Sequence, residues 1–189
     1  DHWSNILKKE KWKSLGLSGG FMPALKLSYD ELPYHLQQCF SYCSIFPKKY
    51  RFLGKDLVYI WISQGFLNHT HSSKRLEEIG MDYLADLVNL GYFQQVGRED
   101  FALGIQNSYV VSGLMHDFAR MVSRTDCAII DGLECNDILP TVQHLSIVTD
   151  SAYCKNQDGR IPRSYKFEEK LRSSFTSVKK LRSLVLIWQ

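Results

Sequence analysis

A short segment between about Lys55 and Gln64 carries apolar side chains around nearly its whole circumference when it is drawn as a helix. The apolar residues are Leu57, Val58, Ile60, Trp61 and Ile62. A helix that is apolar on all sides is stable in water only when other elements surround it. The chain must therefore build a core of several elements around this segment, which ends at Gly65.

Spaced apolar residues predict further helices on both sides of this segment. The predicted helices begin at Met22, run from Pro33 to Pro47, start near Met115 with Ser112 as the cap, and run from Phe167 to Val178. Between Leu76 and Val88 the apolar residues form a single stripe. The acidic residues outside that stripe are Glu77, Glu78, Asp82 and Asp86. This separation is typical of a helix with one buried and one solvated face.

Two short runs after Gly91 have the residue types of β-strands. They cover Tyr92 to Val96 and Ser108 to Val111, and the segment between them is polar and contains glycine. The pattern predicts a β-hairpin with a variable tip. Several helices followed by one hairpin is the element order of a winged-helix domain. We therefore predict a mainly α-helical fold with a small β-hairpin.

The last third of the chain has a weaker pattern. Residues 125–141 are predicted to be a linker, and β-type runs follow at Val142 to Val148 and at Leu184 to Trp188. Leu181, Leu184 and Leu186 match the L-x-x-L-x-L opening of a leucine-rich repeat, whose last two leucines point inward from a short strand. A single copy leaves two interpretations open: the α/β start of a repeat solenoid, or an ordinary amphipathic strand.

Composition excludes several classes of protein. The 189 residues include 23 Lys+Arg and 20 Asp+Glu, and a formal charge of +3 is too small to identify a nucleic-acid or membrane-surface binder. The longest apolar runs are far below the roughly 18 to 20 residues of a membrane span. Five cysteines at irregular spacings imply no disulfide framework and favour a reducing compartment. Because the chain begins at Asp1 without methionine, we expect a fragment of a longer protein.

Motifs for catalysis are absent from the sequence. Gly54 and Lys55 precede Asp56, so the phosphate-binding loop G-x-x-x-x-G-K-[ST] is not formed. The patterns G-x-S-x-G and H-E-x-x-H do not occur either. We therefore predict that this chain is not an enzyme by itself.

Two cysteines and two histidines raise the question of a metal site. Cys39 and Cys43 lie on one predicted helix face, and His69 and His71 follow downstream. The cysteines alternate with apolar residues on that face, where cysteine behaves as a small hydrophobic residue. The common zinc-finger spacings do not occur. We predict that both cysteines belong to the core and that no metal is bound.

A DNA-binding winged helix is the alternative function, because such domains place one helix in the major groove. The candidate helix carries Lys74 and Arg75 at its start, but its exposed side is acidic and a phosphate backbone repels it. The basic clusters lie elsewhere in the sequence, at Lys48, Lys49 and Arg51 and at Lys179, Lys180 and Arg182. DNA binding stays open as the alternative.

The triplet Met115, His116 and Asp117 opens the fifth predicted helix. At 100° per residue, Met115 belongs to the buried stripe, His116 lies on its flank and Asp117 points to the opposite side. A flank histidine near a helix N-terminus can donate a hydrogen bond to an anion held by a neighbouring domain. The alternative is structural: His116 packs at the edge of the core, and Asp117 complements the positive end of the helix dipole.

Four motifs occur in a fixed order between residues 23 and 118. They are Pro23-Ala-Leu-Lys-Leu-Ser-Tyr-Asp-Glu-Leu-Pro33, His35-Leu-Gln-Gln-Cys39-Phe-Ser-Tyr-Cys43-Ser-Ile-Phe-Pro47, Leu57-Val-Tyr-Ile-Trp61-Ile-Ser-Gln-Gly65-Phe66 and Met115-His116-Asp117. In order and spacing they resemble the plant nucleotide-binding leucine-rich-repeat (NLR) disease resistance proteins. The segment from Cys39 to Pro47 resembles the coiled-coil subclass of that family rather than the Toll-like one.

The resemblance implies a division of the chain. Residues 1–20 would be the tail of a preceding helical subdomain, 21–124 the winged-helix domain, 125–141 a linker and 142–189 the start of the leucine-rich repeats. The whole receptor would bind ADP or ATP and act in the cytoplasm in defence against pathogens, including the hypersensitive response. Its expected partners are the upstream nucleotide-binding domain and the repeats in cis, a pathogen effector or guarded host protein, and further copies on activation.

The resemblance also implies a role for the triplet. In the family the histidine contacts the β-phosphate of bound ADP and helps to hold the inactive state, and this role carries over to His116. Asp117 would keep the histidine in place, and Met115 completes the regulatory motif. Phe118 stands where the family usually has leucine. The phosphate-binding loop is not in this sequence, so we expect the chain alone to have negligible affinity for nucleotide.

Overall fold

The apolar stripes of the sequence become helices close to the predicted positions. The computed structural model describes residues 22–67, 73–101, 104–131, 138–148 and 165–187. In chain order, the elements of these ranges are α1 (Met22–Asp30), α2 (Tyr34–Tyr42), a 3₁₀ turn (Cys43–Ile45), β1 (Phe52–Leu53), α3 (Gly54–Ser63), α4 (Leu76–Asn89), β2 (Gln94–Phe101), β3 (Gly104–Val110), α5 (Gly113–Val122), β4 (Cys127–Asp131), β5 (His144–Val148), α6 (Tyr165–Ser177) and β6 (Ser183–Ile187). The predicted segment 1–20 lies outside the described residues.

Contacts divide the chain into two units. The first consists of residues 1–40 and 49–118, and the second of residues 41–48 and 119–189. In the described ranges, the first unit holds an antiparallel sheet in the order β1-β3-β2, and the second holds a parallel sheet in the order β4-β5-β6. The described fold is therefore mixed α/β: the first unit has the helices and antiparallel strands predicted for a winged-helix domain, and the second has a parallel sheet where an α/β segment is predicted.

The core of the first unit is built around α3, as its apolar circumference predicts. Trp61 is fully buried, its indole N–H donates a hydrogen bond of 3.1 Å to the carbonyl of Cys39, and its ring meets the edge of Phe93. The rest of the fold does not cover α3 on every side, however, because Tyr59 on the same helix is 55% exposed. The helix thus has one open side, although five of its ten residues are strongly apolar.

A glycine explains how closely α4 packs on α3. Gly80 lies in the middle of α4, where glycine lowers helix stability by about 1 kcal/mol relative to alanine. A Cβ at this position would stand 2.4 Å from a methyl carbon of Val58 and 3.1 Å from one of Leu67. The missing side chain therefore lets the two helices approach, and this approach is the packing reason for the glycine.

The hairpin is longer than the sequence predicts. β2 and β3 pair from Gln94↔Val110 to Phe101↔Gly104, with a bulge between Gln95 and Gly97. The polar segment expected to form a loop is therefore largely strand. Polar residues pair well here because cross-strand backbone hydrogen bonds do not depend on side-chain polarity, and the short β1 adds a third strand beside β3.

The parallel sheet was only partly predicted. β5, β6 and α6 lie close to the predicted positions, but the expected linker 125–141 contains the strand β4. Ile130 of β4 packs with Leu145 and Ile147 of β5 in one small core, against which Leu171 of α6 also lies. A strand of five residues with a polar end has little periodicity of its own, so only its pairing with β5 reveals it.

The two leucines expected to point inward are exposed instead. Leu184 and Leu186 pair in register with the buried Leu145 and Ile147, and so share their face of the sheet, but they are 45% and 68% exposed. They are exposed because β6 stands at the end of the three-strand order and nothing in the described residues covers that end of the face.

Candidate functional site

The triplet Met115-His116-Asp117 lies in the first turn and a half of α5. The backbone carbonyl of Ser112 accepts a hydrogen bond of 2.8 Å from the N–H of His116, and the Ser112 hydroxyl accepts one of 3.4 Å from the N–H of Met115. Ser112 therefore caps the helix, as predicted. The cap fixes where α5 starts and hence which sides its first residues face.

An aromatic cluster behind α5 holds the motif in position. Phe118 is fully buried and packs against Tyr29 of α1, with ring centroids 5.7 Å apart, and against Phe40 of α2 at 6.1 Å. Phe40 in turn meets the edge of Tyr92 at 4.8 Å. Phe118 thus has the packing role expected of an apolar residue here, and three separate chain segments determine the position of the first turn of α5.

One polar contact anchors this aromatic cluster. The hydroxyl of Tyr92 donates a hydrogen bond of 3.1 Å to the Ser28 side chain of α1, in a buried position. Burial raises the pKa of Tyr92 to about 12, so the phenol stays neutral at physiological pH. The cluster can therefore position α5 without adding charge near the motif.

The three motif residues differ sharply in exposure. Met115 is buried, Asp117 is exposed, and His116 is only 3% exposed. The sequence placed His116 on the flank of the stripe, so the imidazole is more deeply buried than its helical position alone implies. A carboxylate and an imidazole thus occupy consecutive positions at the positive end of a helix, one in solvent and one in the interior.

Cys39 and Cys43 belong to the core, as predicted. Both are outside disulfide bonds and have almost no exposed surface, and burial raises the pKa of Cys39. The described ranges contain no group of three or more His, Cys, Asp or Glu residues that could hold a metal ion. His69 and His71 lie outside those ranges.

The helix considered for DNA binding is α4, and its surface is electrostatically unsuited to that role. The ammonium of Lys74 is 2.6 Å from Asp82, and the guanidinium of Arg75 is 3.2 Å from Glu78. Both cations at the start of the helix are thus engaged by acidic residues of α4 itself. Phosphate contacts would have to break these pairs and approach further carboxylates.

We expect this chain not to retard duplex DNA in a gel-shift assay, even at low salt, because α4 presents paired charges with an acidic excess. The measurement is a titration of the 189-residue chain against a mixed-sequence duplex at low and physiological salt. A mobility shift that weakens steeply with added salt would contradict the expectation and favour the DNA-binding alternative.

Similarity to known proteins agrees with this architecture. Residues 45–119 match the family described as the disease resistance protein winged helix domain. The putative disease resistance protein At3g14460 of Arabidopsis thaliana is 41% identical over 129 residues, which are 68% of this chain and 9% of that protein. The putative disease resistance RPP13-like protein 1 of the same plant is 33% identical over 64% of this chain and 11% of its own length. The putative disease resistance protein RGA4 of Solanum bulbocastanum is 29% identical over 74% of this chain and 14% of its own length.

The helices and the β1-β3-β2 sheet, together with this match, define a winged-helix domain of the disease resistance type. The chain belongs to the plant NLR disease resistance proteins, and relatives of the coiled-coil type are among its matches. It spans between 9% and 14% of the length of these three relatives. In the described ranges, none of the helices has both the length and the apolar character that crossing a membrane requires.

Proposed function

We propose that this chain is the regulatory winged-helix part of an ADP/ATP-switched plant immune receptor. The observation that carries the proposal is the triplet Met115-His116-Asp117 at the capped N-terminus of α5, inside the region that matches the family. Residues 21–124 would form the winged-helix domain, 1–20 the tail of the preceding helical subdomain, 125–141 the connection and 142–189 the start of the leucine-rich repeats.

The proposed role of His116 is to donate a hydrogen bond to the β-phosphate of ADP bound by the upstream domain. An imidazole N–H is a suitable donor for a phosphate oxygen, and the first turn of α5 adds the positive end of a helix dipole. A hydrogen bond to a charged group contributes roughly 1.5 to 3 kcal/mol, which changes a closed-to-open ratio about 10- to 150-fold. Such a contact biases a switch without locking it.

The burial of His116 adds a condition to this role. With 3% of its surface exposed, the imidazole reaches a ligand held by another domain only if its rotamer changes or the part of the chain that covers it moves. The exposed carboxylate of Asp117 occupies the next position and can interact with the upstream domain directly. We propose that Asp117 supports the geometry of the inactive state and that loss of the contacts lets the winged-helix domain rotate as a rigid body.

The strands of the second unit support the proposal that repeats start near Val142. β5 and β6 are short, parallel and in register, and α6 lies between them in the sequence. This is the kind of unit that a repeat solenoid stacks, and the exposed Leu184 and Leu186 lie on the face that a further repeat would cover.

The partners of the whole receptor follow from the same proposal. The nucleotide-binding domain and the repeats would act in cis, and ADP or ATP would be bound by the receptor rather than by this chain alone. A pathogen effector or a guarded host protein would be the sensed partner, copies of the receptor would assemble on activation, and the site of action would be the cytoplasm.

We expect Asp117→Val in the full-length receptor to raise basal signalling without a pathogen, because the inactive state loses a supporting carboxylate. The measurement is cell death after transient expression in leaf tissue, with receptor abundance compared by immunoblot. Asp117 is exposed, so its replacement should not unfold the domain.

A matched control separates regulation from helix capping. Asp56 is also an exposed aspartate near the start of a helix: it lies in the first turn of α3, whereas Asp117 is the fifth residue of α5. Asp56→Val removes the same charge from a comparable solvent-exposed position. It should leave cell death at the parental level. Equal cell death from both variants, or none from Asp117→Val at normal abundance, would refute the regulatory role of the motif.

A further inference from the structure

The first strand position of β6 is held by a side-chain bridge across the parallel sheet. The hydroxyl of Ser183 lies 2.8 Å from Nδ1 of His144 in β5 and 3.3 Å from the phenol oxygen of Tyr42 at the end of α2. The rings of Tyr42 and His144 meet edge to face, with centroids 5.0 Å apart. Ser183 therefore bridges two side chains from different parts of the sequence.

The attachment of β6 depends strongly on this bridge. All five residues of β5 are buried, whereas β6 has one buried residue, Ile187, among its five. Leu184 and Leu186 remain 45% and 68% exposed, so backbone pairing with β5 and the bridge at Ser183 are important to the attachment. Strands with few buried apolar contacts are the ones that open locally at low free-energy cost.

The surroundings of His144 favour the neutral imidazole. The side chain is 8% exposed, and burial is the largest effect lowering its pKa. Arg182, which precedes β6, lowers the pKa further, whereas Asp126, which precedes β4, raises it. A proton taken up here would place a second cation beside Arg182 in a site with little water.

Two further titratable side chains near His144, Tyr42 and Cys127, are uncharged. Burial raises the pKa of Tyr42, and it raises the pKa of Cys127, the ladder partner of His144 in β4, to about 12. Both groups are therefore neutral near pH 7. Cys43, in the 3₁₀ turn beside Tyr42, is buried and not in a disulfide bond. Among these groups, the exposed carboxylate of Asp126 is the one that could balance an imidazolium.

We propose that Tyr42, His144 and Ser183 form a proton-sensitive latch that secures β6 to the parallel sheet at neutral pH and releases it in mild acid. The direction of the pH effect follows from the burial of the His144 imidazole. Because the fold favours the neutral ring, His144 contributes fully to stability above the ordinary histidine pKa of 6.5. That contribution is lost as the pH falls below this value, because the opened strand binds the proton more readily than the closed one.

Hydrogen exchange of the 189-residue chain tests the latch. We expect the protection of the β6 amides, corrected for intrinsic exchange rates, to fall between pH 7.5 and pH 5.5. Protection of the β6 amides can fall by at most about tenfold for each pH unit below 6.5, because opening of the strand takes up one proton. The β3 amides of the first unit are the internal reference and should change much less. Equal changes in β6 and β3 would overturn the proposal.

Two histidine variants locate the effect. His144→Asn keeps a polar group beside Ser183, but asparagine does not titrate. The selective loss of β6 protection in acid should therefore disappear in this variant. His35→Asn is the matched control, because burial also lowers the pKa of His35 but this residue lies in the first unit. In His35→Asn, the loss of β6 protection in acid should equal that of the parent chain. If His144→Asn still loses β6 protection in acid, the latch proposal is overturned.

Ser183→Ala provides a test that does not require replacement of the buried histidine. Without the hydroxyl bridge, β6 should already exchange at pH 7.5 as fast as the parent chain does in acid, while β3 remains protected. If β6 in Ser183→Ala keeps the full protection of the parent chain at pH 7.5, the bridge does not secure the strand and the proposal fails. This outcome is independent of the nucleotide switch.

Discussion

Trp61→Ala should lower the free energy of unfolding of this domain by about 3 to 5 kcal/mol, the range for removal of a large aromatic side chain from a core. The indole is fully buried in α3, contacts the ring of Phe93 and donates its N–H to the Cys39 carbonyl. Alanine would leave a cavity and remove the donor from that carbonyl. A domain at the low end of the usual range of about 5 to 15 kcal/mol would be close to unfolding. Urea denaturation followed by circular dichroism measures the loss.

Two further variants divide this effect into its parts. Trp61→Phe keeps an aromatic ring but loses the N–H, and should cost less than Trp61→Ala. Tyr59→Ala lies on the exposed side of the same helix and should change stability by no more than about 0.5 kcal/mol. A loss for Trp61→Ala as small as that for Tyr59→Ala would show that the indole is not in the core.

Gly80→Ala is expected to destabilise the domain by about 1 to 2 kcal/mol, although alanine is the better helix former. The new methyl group would lie 2.4 Å from Cγ1 of Val58, closer than real contacts allow, so either the Val58 side chain must leave its rotamer or α3 and α4 must move apart. The cost of overpacking, about 1 to 3 kcal/mol, exceeds the gain of up to about 1 kcal/mol in helix propensity. The melting temperature of the purified chain reports the balance.

Gly113→Ala is the matched control for this prediction. Gly113 begins α5 and has no atom within 4 Å of its Cβ position, so the same change should be neutral or slightly stabilising. Combining Val58→Ala with Gly80→Ala should recover part of the loss, because the smaller side chain makes room for the added methyl. A higher melting temperature for Gly80→Ala alone would disprove the close approach of the two helices.

The described helices are predictable because most have a periodic apolar stripe, α3 is apolar on nearly all sides, and start or stop signals flank several of them. The stripe of α4, the cap at Ser112 and the stop at Gly65 are local features that a chain carries before it folds. The positions of Met115 and Asp117 followed from the same periodicity. The deep burial of His116 did not, since it depends on what packs around α5.

The strands show the limit of local patterns. The polar half of the hairpin, the two-residue β1 and the strand β4 are stabilised by backbone pairing with other strands. Backbone donors and acceptors are the same for every residue except proline, so composition does not reveal which segments will pair. The bridge between Tyr42, His144 and Ser183 was missed for the same reason, since its members are 39 and 141 residues apart.

The amino-acid sequence by itself determined the class of this protein: its helices, its buried Trp61 and the order of its motifs identified a winged-helix segment of a plant disease resistance protein. Only the tertiary structure decided that Gly80 permits the contact of two helices, that Leu184 and Leu186 are exposed and that Ser183 of β6 bridges Tyr42 and His144. Periodicity is a property of neighbours along the chain, whereas exposure and side-chain bridges depend on segments that meet only after folding.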